Sequence, residues 1–284
     1  MKLRVATIRN VPVYFHYTWL FLLGMFMYRA IYENHGPQYA ALPTIYKSLV
    51  GGLVGIGLTL SIILHEFGHV IKAQRYGVPV KDIVIFMLGG AATIKDEPKR
   101  PGELWFIASG GPLVSIILAE ICRIVLKLWT PPLLLKVTLE ELFIINIAVT
   151  IFNLIPVYPL DGGRLLHSVI WRISGCQYSS LVITTWITVI LGTALVILSA
   201  FGGLWMVMVI MMLVVLSALG AKKEASLRLG ISVNIDRLYS ILARTFGNDP
   251  VADEIVAEIT KQKRILSAPF GQILQAIEKE KVGG

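Results

Sequence analysis

The chain has 284 residues, 55% of them hydrophobic and only 15% charged, with a mean hydropathy of +0.71. That balance excludes a soluble globular domain and reads as an α-helical polytopic membrane protein, because about 20 apolar residues cross a hydrocarbon core of ~30 Å. The net charge of +8 comes without a basic patch interleaved with aromatics, so it reads as membrane topology and not as a nucleic-acid partner.

Candidate spans lie near 17–32, 49–71, 104–127, 138–158, 181–200 and 203–220, about six in all. Ahead of them, residues 1–16 are basic but carry Asn10, Pro12 and His16. They show no small-residue cleavage site after an apolar core, so the first span is expected to stay in the mature protein. Val11 to Phe15 reads as an extended, interfacial stretch. With the N-terminus on the cytoplasmic side, eleven Lys and Arg outside the C-terminal tail fall on inner segments and five at or near the outer side. The positive-inside rule therefore predicts a multi-pass protein of the cell membrane with both termini cytoplasmic. Cys122 and Cys176 are too few and too scattered for a ligand cluster or a disulfide framework.

The second span is glycine-rich at Gly51, Gly52, Gly55 and Gly57, a composition that suits close helix contact in lipid. It ends in His65-Glu66-Phe67-Gly68-His69. On a helix His65 and His69 stand one turn apart on one face, so both imidazoles reach one metal ion. Glu66 lies beside them, placed to take a proton from a water activated by that ion. Two histidines at this spacing are also compatible with an interfacial pair bonded to carbonyls. The setting favours the metal: Leu49 to Leu64 carries no charge, and an ionisable group inside such a helix costs about 2.5–3.5 kcal/mol on insertion scales.

Tyr76-Gly77 reads as the stop of this helix. Residues 78–94 follow as two short β-like strands with Gly89-Gly90 as their turn. At membrane depth such backbone must be covered by protein or line a wet cavity. Two readings are open: an edge that pairs with an extended peptide, or a cytoplasmic hairpin that only packs over the helices. Asp96 to Gly102 is a polar turn. Ser109-Gly110-Gly111-Pro112 then marks a break or close-packing point in the third span, and Trp129 to Pro132 turns the chain outside.

The fourth span ends in Asn153-Leu154-Ile155-Pro156-Val157-Tyr158-Pro159-Leu160-Asp161-Gly162-Gly163. The two prolines remove amide donors and force extended backbone ahead of them. Asp161 could be the N-cap of a helix starting near Arg164. Its depth points elsewhere. At 1.5 Å per residue His65 lies ~24 Å from Leu49 and Asp161 ~32 Å from Glu140, so both motifs are expected toward the cytoplasmic end of their spans. Two histidines, one carboxylate and an open position form a catalytic zinc ligand set. Glu97 and Glu103 are alternative carboxylates, and His167 is expected to face an interface instead.

HEFGH in a span, FMLGG in a β-like insert, SGGP in the next span and NLIPVYPLDGG ending the fourth resemble the site-2 protease family of intramembrane zinc metalloproteases. The resemblance covers about residues 45–172. It implies one zinc ion held by His65, His69 and Asp161, Glu66 as catalytic base and Asn153 as a substrate-positioning residue. Where the family often has Asn after the GP of the third span, this chain has Ser115.

The function read from these features is hydrolysis of peptide bonds in or near transmembrane segments of membrane proteins, with the lipid bilayer as the working medium. A metal-ion transporter using the same ligands, or a substrate-binding homologue without catalysis, are the alternatives. Further ligands along a pore would mark the transporter, and loss of Glu66 would mark the binding homologue. Residues 1–220 form the expected transmembrane metalloprotease domain. Residues 221–284, with helical patterns near 234–246, 251–264 and 267–281, form a small cytoplasmic appendage able to take a regulator.

Overall fold

The computed structural model describes residues 2–32, 36–86, 89–94 and 98–246. His35, Glu97 and the helical patterns expected over 251–264 and 267–281 lie outside the described residues.

The chain opens with two antiparallel strands, β1 (Lys2–Ile8) and β2 (Val11–His16). Arg9 and Asn10 both have positive φ, the backbone of a tight two-residue hairpin whose twist matches its strands. Helix α1 (Trp19–Tyr32), the short α2 (Pro37–Ala40) and the 32-residue α3 (Thr44–Arg75) follow. Tyr76 then caps α3, and Gly77 takes the left-handed conformation (φ +70°) that a side chain would disfavour. Strands β3 (Val80–Phe86) and β4 (Gly89–Ile94) come next. After them run α4 (Pro101–Ala108), α5 (Gly110–Leu128), α6 (Leu133–Leu154), α7 (Asp161–Ser174), α8 (Gln177–Phe201) and α9 (Trp205–Phe246).

Two expectations about the insert need correction. The sheet has four strands in the order β1-β2-β3-β4, because β2 pairs in parallel with β3 (Val13 opposite Ile83, Phe15 opposite Ile85). Gly89 and Gly90 are also not the turn. They are the first residues of β4, opposite Phe86 and Ile85. Composition marked both stretches as extended but carried no information on a pairing across about seventy residues.

Among the described residues, four helices are long and apolar enough to cross a membrane: α3, α4 with α5 (Pro101–Leu128), α8 and the first part of α9 (Trp205–Gly230). The expected spans near 17–32 and 138–158 correspond to the 14-residue α1 and the 22-residue α6, outside those four.

By its internal contacts the chain divides into two units. The first comprises residues 1–95, 102–155 and 160–165. Its core joins Val11 and Val13 of β2 and Ile83 and Ile85 of β3 to Ile62 and Val70 of α3, all buried. The strand residues alternate along β2 and β3, so one face of the sheet is apolar and packed. The glycines of α3 serve close approach. A Cβ on Gly51 would lie 2.6 Å from Met27 Cα of α1, one on Gly55 would strike Leu23, and one on Gly57 would lie 2.7 Å from Leu142 of α6. Gly52 faces open space.

The second unit comprises residues 96–101, 156–159 and 166–284, and its described part is dominated by α8 packed on α9. Thr184 and Thr188 return their hydroxyls to carbonyls one turn earlier in α8, which satisfies polar groups inside an apolar helix. Helix α9 continues without a break through Lys222-Lys223 to Phe246, and Lys222 Nζ sits 3.5 Å from the centre of the Trp186 ring.

Candidate metal centre

The pentad lies about six to seven turns into α3, and all of its ionisable side chains are buried. His65 Nε2 and His69 Nε2 each lie 3.3 Å from Asp161 Oδ2. These three atoms form the group of His, Cys, Asp or Glu ligands that could hold a metal ion among the described residues. Glu103 is not part of it.

Asp161 reaches the histidines from the first turn of α7, which starts at Asp161 itself. The helix is therefore not one that Asp161 caps from outside near Arg164. Gly162 makes the approach possible, since a Cβ there would run into the carbonyl oxygens of Leu154 and Ile155 at the end of α6.

Hydrogen bonds on the far side of each ring prepare the histidines. His69 Nδ1 lies 2.8 Å from Ile107 O. A carbonyl only accepts, so Nδ1 carries a proton, and the bond turns Nε2 toward Asp161. Gly111 N–H also approaches Nδ1, at 3.4 Å, but the shorter carbonyl contact decides the tautomer. His65 Nδ1 is 2.9 Å from Ser115 Oγ, and the hydroxyl can accept its proton in the same way.

Two imidazole Nε2 atoms and one carboxylate oxygen facing one another form a donor set that could hold a metal ion. Asp161 Oδ2 is a buried acceptor without a hydrogen bond among the described residues, despite two nitrogens at 3.3 Å. Donors on a tetrahedron with bonds of about 2.0–2.1 Å stand roughly 3.3–3.4 Å apart. The residues present therefore fit a zinc ion, two imidazoles and one carboxylate leaving a fourth position open.

The glycines of the SGGP segment shape this place. Gly68 and Gly110 touch backbone to backbone, and a Cβ on either would collide with the other's carbonyl. One residue on, a Cβ on Gly111 would fall against Nε2 of both His65 and His69. The space in front of the two nitrogens exists because residue 111 has no side chain. Sequence reading marked SGGP as a packing point without seeing what it packs on.

Glu66, next to the ligands, lies under β4. A Cβ on Gly90 would come within 2.6 Å of Glu66 Cγ and 3.0 Å of its Oε1. The outer strand of the sheet thus crosses directly over the carboxylate. Asn153 sits in the last turn of α6, where its Nδ2 donates to Val149 O. It is not one of the three converging ligands. His167 belongs to the second unit, stacked on Trp171 with Nε2 3.1 Å from Gln177 O, and burial pushes its imidazole below the usual range.

Ser115 carried no firm role in the sequence, and its bond to His65 supplies one. Ser115→Ala removes the acceptor that orients His65, and is expected to weaken zinc affinity about 10–100-fold. Competition with a chelator measures this, and an unchanged affinity would leave Ser115 as packing only.

A sequence model described as peptidase family M50 matches residues 53–141 and 134–199, together just over half of the chain. A putative zinc metalloprotease from Synechocystis sp. is 28% identical over 219 residues, 73% of this chain and 56% of that protein. A zinc metalloprotease from Methanocaldococcus jannaschii is 30% identical over 225 residues, 79% of this chain and 60% of that protein. The chain thus spans a little over half the length of these curated relatives. Among solved structures, the site-2 protease from Methanocaldococcus jannaschii superposes with a TM-score of 0.55 at 25% identity, covering 78% of this chain and 95% of that one.

Proposed function

We propose, from the premise that this chain belongs to peptidase family M50, that it is an intramembrane zinc metalloprotease. It hydrolyses peptide bonds in or near transmembrane segments of membrane proteins. The observation that carries this reading is the convergence of two imidazole nitrogens and one carboxylate oxygen without a hydrogen bond, beside a second buried carboxylate, at one end of an apolar helix.

His65, His69 and Asp161 hold the zinc ion, Glu66 is the general base and Asn153 positions substrate. Zinc, when bound, supplies Lewis acidity, which polarises a carbonyl and makes water acidic near neutral pH. Glu66 takes the proton released by the attacking water and returns it to the leaving nitrogen. Gly90 keeps β4 close above Glu66, so an extended peptide added to the β4 edge passes beside the base. A substrate helix must unwind to use that edge.

In this reading α1 and α6 join the four long helices to make six spans, with both termini cytoplasmic in the cell membrane. Residues 1–220 form the protease domain, and 221–284 an appendage that binds a cytoplasmic regulator. The metal ligands then lie near the cytoplasmic side, where water has a short path.

Two measurements on the purified, lipid-reconstituted protein test this. Wild type should hold one zinc per chain, and Asp161→Ala less than a tenth of that. Wild type but not Asp161→Ala should cleave members of a panel of single-span peptides, and mass spectrometry should map the new termini to the cytoplasmic half of the span. Termini in the outer half would overturn the topology. Full zinc binding with no cleavage of any peptide would overturn the protease reading.

A further inference from the structure

Asn146 is buried on α6 (2% exposed), and both of its amide N–H bonds are committed. Nδ2 donates to Ser61 Oγ on α3 at 3.1 Å and to Leu142 O at 2.8 Å. The carbonyl of Leu142 cannot donate, so these contacts fix which end of the amide is oxygen. Oδ1 has no hydrogen-bond partner among the described residues. A buried carbonyl oxygen in an apolar helix without a donor is a standing cost. An apolar side chain would pack α6 on α3 without it.

The position of Asn146 around α3 says what the oxygen can meet. Ser61 and His65 are one turn apart on one face of α3, and Ile62 and Glu66 form the next face, about 100° round. Gly90 of β4 rests over Ile62 and Glu66, whereas Asn146 and Leu142 of α6 rest on Ser61 and Gly57. The strip of α3 that presents His65 therefore lies between two walls, β4 on one side and α6 on the other.

An unwound peptide lying along that strip points its N–H groups alternately to its two sides. Those facing β4 find strand partners. Those facing α6 have no water in the hydrocarbon region and need an acceptor. We propose that Asn146 Oδ1 is that acceptor, receiving one main-chain N–H of the unwound substrate opposite β4. Asn146 is then a positioning residue whose oxygen lowers the cost of unwinding one turn from the metal ligands. The inference rests on the protease reading above.

The test uses the full-length Glu66→Gln protein in lipid nanodiscs and a synthetic single-span peptide carrying a Gly-Pro break in its cytoplasmic half. Affinity is measured for the all-amide peptide and for a series in which one backbone amide at a time becomes an ester, which deletes one N–H. With Asn146 present, one ester position should weaken binding about fivefold to tenfold. In Asn146→Leu the penalty at that position should fall below twofold while penalties elsewhere stay. Asn146→Ala serves as a second variant if the Leu protein does not fold. A merely structural Asn146 would change all affinities together, so the absence of any position-specific coupling overturns the proposal, as does failure of the all-amide peptide to bind. Coupling at one position together with no cleavage by wild type would uphold the acceptor and overturn the protease assignment.

Discussion

Glu66→Gln should leave zinc at full stoichiometry and slow cleavage by about 10²–10⁴-fold, the range for loss of a general acid–base group. The amide has the shape of the carboxylate, so the contact with Gly90 survives and β4 keeps its place over the side chain. The three converging ligand atoms belong to other residues, and so the metal should stay. What disappears is the ability to accept a proton. Metal analysis and single-turnover cleavage on the same preparation check both halves. Cleavage within threefold of wild type would remove Glu66 from the role of base, and loss of zinc would make it a ligand or a support for one.

A methyl group at residue 111 should be as damaging as loss of a ligand. In Gly111→Ala the new Cβ falls against Nε2 of both histidines. It cannot be relieved by moving α5 outward cheaply, because Gly68 and Gly110 already hold α5 and α3 in backbone contact next to the clash. The outcome is a folded protein with zinc content below a tenth of wild type and no measurable cleavage. Circular dichroism should show unchanged helicity, which separates this result from unfolding. Full zinc occupancy in Gly111→Ala would mean that the ion binds away from the two Nε2 atoms.

Much of this site was legible because helical spacing is a geometric code. His65 and His69 had to share a face, and Asp161 was expected, like them, toward the cytoplasmic end of its span. The parts that were not legible depend on contacts between segments far apart in sequence. Ser115 lies 50 residues from His65, and its hydroxyl has no distinctive neighbourhood in the chain. The carbonyl of Ile107 that sets the His69 tautomer has no sequence signature, because every residue has one. Gly111 read as a packing glycine, but only the fold shows that it packs on two ligands. The sheet was half visible: composition marked Val11–Phe15 as extended and 78–94 as two short strands, yet nothing local tells a strand that its neighbour lies beyond three helices.

The parallel pairing of β2 with β3 also bears on biosynthesis. Val13 meets Ile83 only after α1 and all of α3 have been made. At about 5–20 residues per second, that leaves β2 without this neighbour for several seconds on the ribosome. Asp161 emerges later still, after α4, α5 and α6. The chain therefore inserts its first helices before the ligand trio is complete. A nascent protein arrested before Asp161 carries His65, Glu66 and His69 but lacks the carboxylate that converges on the two histidines. The group that could hold a metal ion is thereby complete only once the helices that build it have been made.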